Sequence, residues 1–69
     1  MTELPPRVLV LGLARSGHAA VSALRSRGIE VVAHDQAESL DLAGIDADVH
    51  LGAWDDRLLD GAGLVVKSP

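Results

Sequence analysis

The segment that most constrains this chain is 7–17. An apolar run, Arg7-Val-Leu-Val-Leu11, stops at Gly12, and a second glycine, Gly17, follows shortly after. The run is aliphatic and β-branched without polar alternation, the pattern of a parallel strand buried on both faces. Residues 15–27 then carry apolar side chains at helical spacing. Ala20, Val21 and Leu24 share one face, with Ala23 close by. Arg25 and Arg27 fall in the last turn, where cations suit the helix dipole, and Gly28 is placed to cap the end. A second strand over 29–34, closed by Asp35, completes a strand–helix–strand unit of about 30 residues, the length of a right-handed crossover.

Beyond Asp35 the pattern predicts a short helix over 38–43, a short strand over 48–51 ending at Gly52, and a short helix over 54–59. A fourth strand over 64–67 lies between Gly61 and Gly63 on one side and Ser68-Pro69 on the other. Strands alternating with helices predict an α/β fold: a Rossmann-like, three-layer open parallel sheet with helices on both faces. The expected strand order is 3-2-1-4, with the switch point beside strand 1. At 69 residues the chain is one domain, 1–69. A fifth strand and its helix normally cover the edge that strand 4 leaves open, so the expectation is a domain truncated after strand 4.

Composition narrows the function classes. Apolar residues make up 48% of the chain and Trp54 is its one aromatic, so the core must be aliphatic. The net charge of −4 argues against nucleic acid, whose binding needs a basic face. The absence of cysteine removes disulfides, thiolate nucleophiles and thiolate-bound zinc. The start of the chain is polar and proline-bearing, unlike a signal peptide, and no apolar run approaches the roughly 20 residues of a membrane span. A cytoplasmic location is expected, with no membrane insertion. His18, His34 and His50 sit on three different elements without metal-ligand spacing, so each reads as structural or solvated and no metal site is expected. Trp54 reads as a packing residue under the last helix, and Asp55 and Asp56 as a solvated helix start.

The loop 12–17 carries the functional signal. In a parallel sheet, ligands sit beyond the carboxyl ends of the strands at the switch point. Gly12 permits a sharp turn out of the strand, and Gly17 permits close packing of helix on sheet. The first-turn N–H groups, at Arg15, Ser16 and Gly17, lie ahead of the helix's own hydrogen-bond ladder, at the positive end of its dipole. A phosphate suits that position, and the Arg15 guanidinium and Ser16 hydroxyl add polar groups to it. The spacing is Gly-x-Gly-x-x-Gly with Ala14 at the middle glycine, which narrows the close approach a dinucleotide needs. The loop lacks the Gly-Lys-Ser/Thr ending of an ATP-binding phosphate loop. Asp35, at the end of strand 2, is placed to accept hydrogen bonds from a ribose or base, or to cap the turn that follows it. Ser68 leaves strand 4 on the same edge of the sheet. One reading of this geometry is an NAD(P)-binding module of a dehydrogenase or a nucleotide-sensing regulator.

These residues also resemble the N-terminal domain of the Mur ligases, in particular the MurD type, the UDP-N-acetylmuramoyl-L-alanine–D-glutamate ligases of peptidoglycan synthesis. The carriers are Val8-Leu-Val-Leu-Gly-Leu-Ala-Arg-Ser-Gly17, the run 24–28, the strand ending in Asp35, and Gly63-Leu-Val-Val-Lys-Ser-Pro69. The family shows a Gly-Leu-Gly-x-Ser/Thr-Gly loop and Ser-Pro-Gly after strand 4; here Ala14 replaces the second loop glycine. The resemblance implies a UDP-binding set of Gly12, Leu13, Ala14, Arg15, Ser16 and Gly17 from the loop, Asp35 and Gln36 at the uracil, and Ser68 and Pro69 along the phosphate and sugar. Ala37 stands where some relatives have an arginine. The implied substrate is UDP-N-acetylmuramoyl-L-alanine. The implied reaction is phosphorylation of its carboxylate by ATP and attack by the amine of D-glutamate. ATP, Mg2+ and D-glutamate are expected on other domains. No catalytic residue and no bound cofactor are expected on this chain, which alone should be inactive.

Overall fold

The structure is a computed structural model that describes residues 5–67. It contains β1 (Arg7–Leu11), α1 (Arg15–Ser26), β2 (Glu30–Asp35), β3 (Asp48–Leu51), a 3-10 helix (Asp56–Leu59) and β4 (Leu64–Lys67). All strand pairs are parallel, in the order β3-β2-β1-β4. β1 and β2 are the two inner strands, and Leu9 of β1 lies opposite Val32 of β2 and Val65 of β4. That is the expected order, and its switch point lies at the exit of β1.

The apolar run of β1 makes the core because both of its faces are covered. Val8, Leu9 and Val10 are wholly buried. Alternation then divides them. Val8 and Val10, with Val31 and Ala33 of β2, pack against Val21 and Leu24 of α1, joined by Leu13 and Ile29. Leu9 and Val32 face the other way and meet Leu58 of the 3-10 helix. Each such aliphatic side chain contributes about 1.5–3 kcal/mol when fully buried. The two faces are therefore unequal. One carries a full helix, and the third layer is the 3-10 helix alone.

α1 ends as its sequence predicts, one residue earlier. Arg27 is the cap residue, and Gly28 follows at φ +75°. Gly28 N–H donates to the Arg25 carbonyl and Ile29 N–H to the Leu24 carbonyl, the paired bonds of a Schellman motif. Leu24 and Ile29 meet in the same buried cluster, supplying the apolar contact that accompanies this cap. The Arg25 guanidinium donates to the Ile29 carbonyl and pairs with Asp46 at 3.0 Å.

Two short helices depart from expectation. No helix forms over 38–43. The Asp41 carboxylate accepts the Ala43 N–H, and Ile45 N–H bonds to the Leu42 carbonyl across a turn in which Gly44 takes φ +79°. A side chain that captures a nearby backbone N–H competes with helix formation. Leu40 and Leu42 also lie two apart, a spacing that makes no helical stripe, and both remain exposed. Over 54–59 only Asp56–Leu59 is helical, of the 3-10 type, and Asp55 caps it by accepting the Arg57 N–H. Asp55 and Asp56 thus form the solvated helix start that their charge suggests. Trp54 lies outside the turn and is 43% exposed, so it does not pack beneath it. Among the described residues no helix is long and apolar enough to cross a membrane.

Candidate functional site

At the exit of β1 the chain turns at Gly12, φ +89°, a conformation that L side chains rarely adopt. The Gly12 N–H donates to the His34 carbonyl at 2.8 Å, extending the β1–β2 ladder into the loop. Gly17 has the second glycine role. A Cβ there would run into the Gly12 carbonyl oxygen, so the first turn of α1 lies directly on the strand exit. Ala14 has φ −67° and ψ −173°, ordinary extended backbone. This position needs no glycine for conformational reasons, which accounts for the alanine.

α1 starts without a side-chain cap and with no acidic residue in its first turn. Its first hydrogen bond runs from His18 N–H to the Ala14 carbonyl. Arg15 and Ser16 stand exposed on that turn. The positive end of the dipole is therefore flanked by a cation and left without a carboxylate of its own helix.

Asp35 is held at the end of β2 by two backbone donors. Its Oδ2 accepts the Leu13 N–H at 2.8 Å and its Oδ1 accepts the Ala37 N–H at 2.9 Å. The bond from Ala37, followed by that from Leu13, holds its carboxyl below the ordinary value of 3.8. Asp35 therefore ties the glycine loop to β2 across the sheet edge. It combines the turn-capping role with a position at the crevice, since each carboxylate oxygen retains acceptor capacity.

The carboxyl ends of β1, β2 and β4 border a cavity of about 380 Å3. Leu11 comes from β1 and Gly12 from the turn after it, His34 and Asp35 from β2 and Gln36 just beyond it, Trp54 from the segment after β3, and Lys67 from β4. The volume lies within the range of about 300–1,000 Å3 usual for small-molecule sites. The walls are fixed to one another. The His34 ring nitrogen Nε2 lies 2.9 Å from the Gly52 carbonyl, and Gly52 N–H donates to the Asp35 and Ala37 carbonyls. The rings of His34 and Trp54 meet at right angles with centroids 5.2 Å apart, and Trp54 Nε1 donates to Asp56 at 2.7 Å.

Of the residues that the sequence singles out, Gly12, Asp35 and Gln36 line this cavity. Leu13 is buried and bonded to Asp35, while Ala14, Arg15 and Ser16 form the adjoining exposed turn. Gly17 is buried beneath it. Ser68 and Pro69 lie outside the described residues. His34 is buried and bonded to Gly52, a structural role of the kind its separation from His18 and His50 suggests, and it also forms a wall of the cavity. Trp54 and Lys67 are the residues that sequence reasoning missed. Lys67 ends its strand as Asp35 ends β2, which is the signal that could have found it. Among the described residues no group of three or more His, Cys, Asp or Glu is placed to hold a metal ion.

Comparison with known proteins gives two relatives with the same name. The UDP-N-acetylmuramoylalanine–D-glutamate ligase of Oceanobacillus iheyensis is 38% identical over 76 aligned positions, covering 100% of this chain and 17% of its own length. The ligase of that name from Shouchella clausii is 44% identical over 71 positions, covering 91% of this chain and 15% of its own length. No family model and no solved structure matches. The chain spans about one sixth of the length of these relatives. Along essentially its whole length the chain is MurD-like, similar to part of the UDP-N-acetylmuramoylalanine–D-glutamate ligases.

Proposed function

We propose that this chain is the N-terminal, substrate-holding part of a D-glutamate-adding ligase of peptidoglycan synthesis, acting in the cytoplasm. It binds the uridine diphosphate moiety of UDP-N-acetylmuramoyl-L-alanine. The observation that carries the proposal is the juxtaposition of the cavity walled by Asp35 and Gln36 with the uncapped first turn of α1 bearing Arg15 and Ser16. A diphosphate lies against that turn, where backbone dipoles, the Arg15 charge and the Ser16 hydroxyl meet it. The uracil enters the cavity, where Asp35 accepts from its imide N–H and the Gln36 amide offers both a donor and an acceptor. Ser68 and Pro69 are assigned to the phosphate and sugar side on the resemblance alone.

The reaction implied by those names joins D-glutamate to a substrate carboxylate. In a whole ligase of that kind, as the resemblance implies, phosphoryl transfer from ATP to the carboxylate would release ADP, and the D-glutamate amine would then displace phosphate from the acyl phosphate. The residues present do not fit ATP or Mg2+. The loop lacks the lysine of a nucleotide-triphosphate loop, and the described residues contain no acidic or histidine cluster for the metal. This chain's task is then to position the substrate by its nucleotide end, and no catalytic step is assigned to it.

Isothermal calorimetry tests the proposal. UDP and UDP-N-acetylmuramoyl-L-alanine bind with one-to-one stoichiometry, and NAD binds more weakly or not at all. A folded chain that binds NAD in preference to uridine nucleotides would refute the ligase reading and establish the dinucleotide module in its place.

A further inference from the structure

We infer that Trp54 is the stacking wall for the nucleobase, a binding role that neither the loop motif nor the relatives' names assign. The inference rests on the proposed uridine diphosphate site and specifies how its base end is held.

Three observations carry it. First, Trp54 lines the same cavity as Asp35 and Gln36 while 43% exposed. A large aromatic left open in a chain with no other aromatic residue is not explained by core packing. Second, the indole is held in place without being buried. His34 stands perpendicular to it at 5.2 Å, and the ring N–H is bonded to Asp56 at 2.7 Å. The ring's polar edge is thereby satisfied within the protein, which leaves its apolar surface for a ligand. Third, His34 is itself fixed by the Gly52 carbonyl and is only 5% exposed, so the indole leans on a buried support.

A planar ring entering this cavity meets hydrogen-bonding groups at Asp35 and Gln36 and an aromatic wall at Trp54. Stacking holds any base, because every base has a π face, whereas the polar groups determine which base is accepted. The division of labour is definite. Trp54 contributes affinity for the base, Asp35 and Gln36 contribute its identity, and the first turn of α1 holds the phosphates.

Trp54 is also the chain's only strong fluorophore, so the test reads it directly. The whole chain is titrated with uridine, UDP and inorganic pyrophosphate, exciting at the red edge where uracil does not absorb, with calorimetry in parallel. Uridine and UDP should quench the emission saturably and pyrophosphate should not. Trp54→Leu should weaken UDP about tenfold or more while leaving pyrophosphate affinity unchanged, and Trp54→Phe should recover most of the loss. UDP binding by calorimetry without a change in emission, with equal affinity for Trp54→Leu, would overturn the stacking role and leave the site reading standing. Equal quenching by pyrophosphate would overturn it as well. A failure of UDP to bind the folded wild type would remove both readings. Should Trp54→Leu not fold, the wild-type titration and Trp54→Phe decide the matter.

Discussion

Replacing Asp35 with asparagine tests what this carboxylate does for the fold. Its carboxylate accepts two backbone N–H groups on opposite sides, Leu13 at 2.8 Å and Ala37 at 2.9 Å. Asparagine has one oxygen and an NH2, so it retains one acceptor and sets a donor against the other N–H. A hydrogen bond to a charged group contributes about 1.5–3 kcal/mol, and partial exposure places this one toward the lower end. The expected loss is therefore about 2 kcal/mol for Asp35→Asn. A chain of this size has a total stability of about 3–10 kcal/mol, so the loss is large. Urea unfolding followed by circular dichroism measures it. The pH dependence gives a second check. The folded-state pKa of Asp35 is depressed below 3.8, so its stabilisation is complete above the unfolded value and is lost as pH falls through the folded one. The gap between wild type and Asp35→Asn should therefore be widest near neutrality and shrink below pH 3.8 as Asp35 protonates. A gap that is absent at pH 7, or that stays constant into the acid range, would refute this account of the carboxylate.

Three further outcomes follow from the same geometry. Gly17→Ala should destabilise by about 1–3 kcal/mol, because the added methyl meets the Gly12 carbonyl, although alanine favours helix by about 1 kcal/mol at an unhindered site; Ser22→Ala, on the exposed face of α1, serves as the urea-denaturation control. Arg15→Ala should leave the unfolding midpoint within about 0.5 kcal/mol, since the side chain is exposed, yet weaken UDP more than uridine in calorimetry. Arg57→Ala should raise the Asp55 pKa from about 2 toward 3.8 in an NMR carboxyl titration, because the guanidinium hydrogen bonds to Asp55 are the largest cause of its depression.

The first half of the fold is legible in the sequence because its signals agree. The apolar run of β1, the spacing of Val21 and Leu24, and Gly28 each point to the same unit, and each residue acts through neighbours close in the chain. β3 and β4 also fall on the expected residues 48–51 and 64–67. The segment 38–43 is not legible, because its leucines, two apart, set no helical stripe and the Asp41 carboxylate captures a backbone N–H that a helix would need. The site is readable in part for a related reason. Gly12 and Gly17 announce a tight turn through their own lack of a side chain. The bond from Leu13 to Asp35 spans 22 residues, and the contact of Trp54 with His34 joins segments that only the sheet brings together. No local pattern marks either of them, so a tryptophan after a short strand reads as core until the strand order puts it at the crevice.

The clamp from Asp35 to Leu13 bears on the time course of recognition. Because the turn after β1 takes its shape from bonds made during folding, a nucleotide bound as proposed would meet a surface that is already organised. The entropy of ordering that turn is then not charged against affinity, and association resembles docking onto a rigid surface. A site of this kind gains little from slow rearrangement and discriminates by fit at first encounter. A variant with the clamp cut should hold the same nucleotide more weakly, and it should also engage it in two kinetic phases where the intact chain shows one.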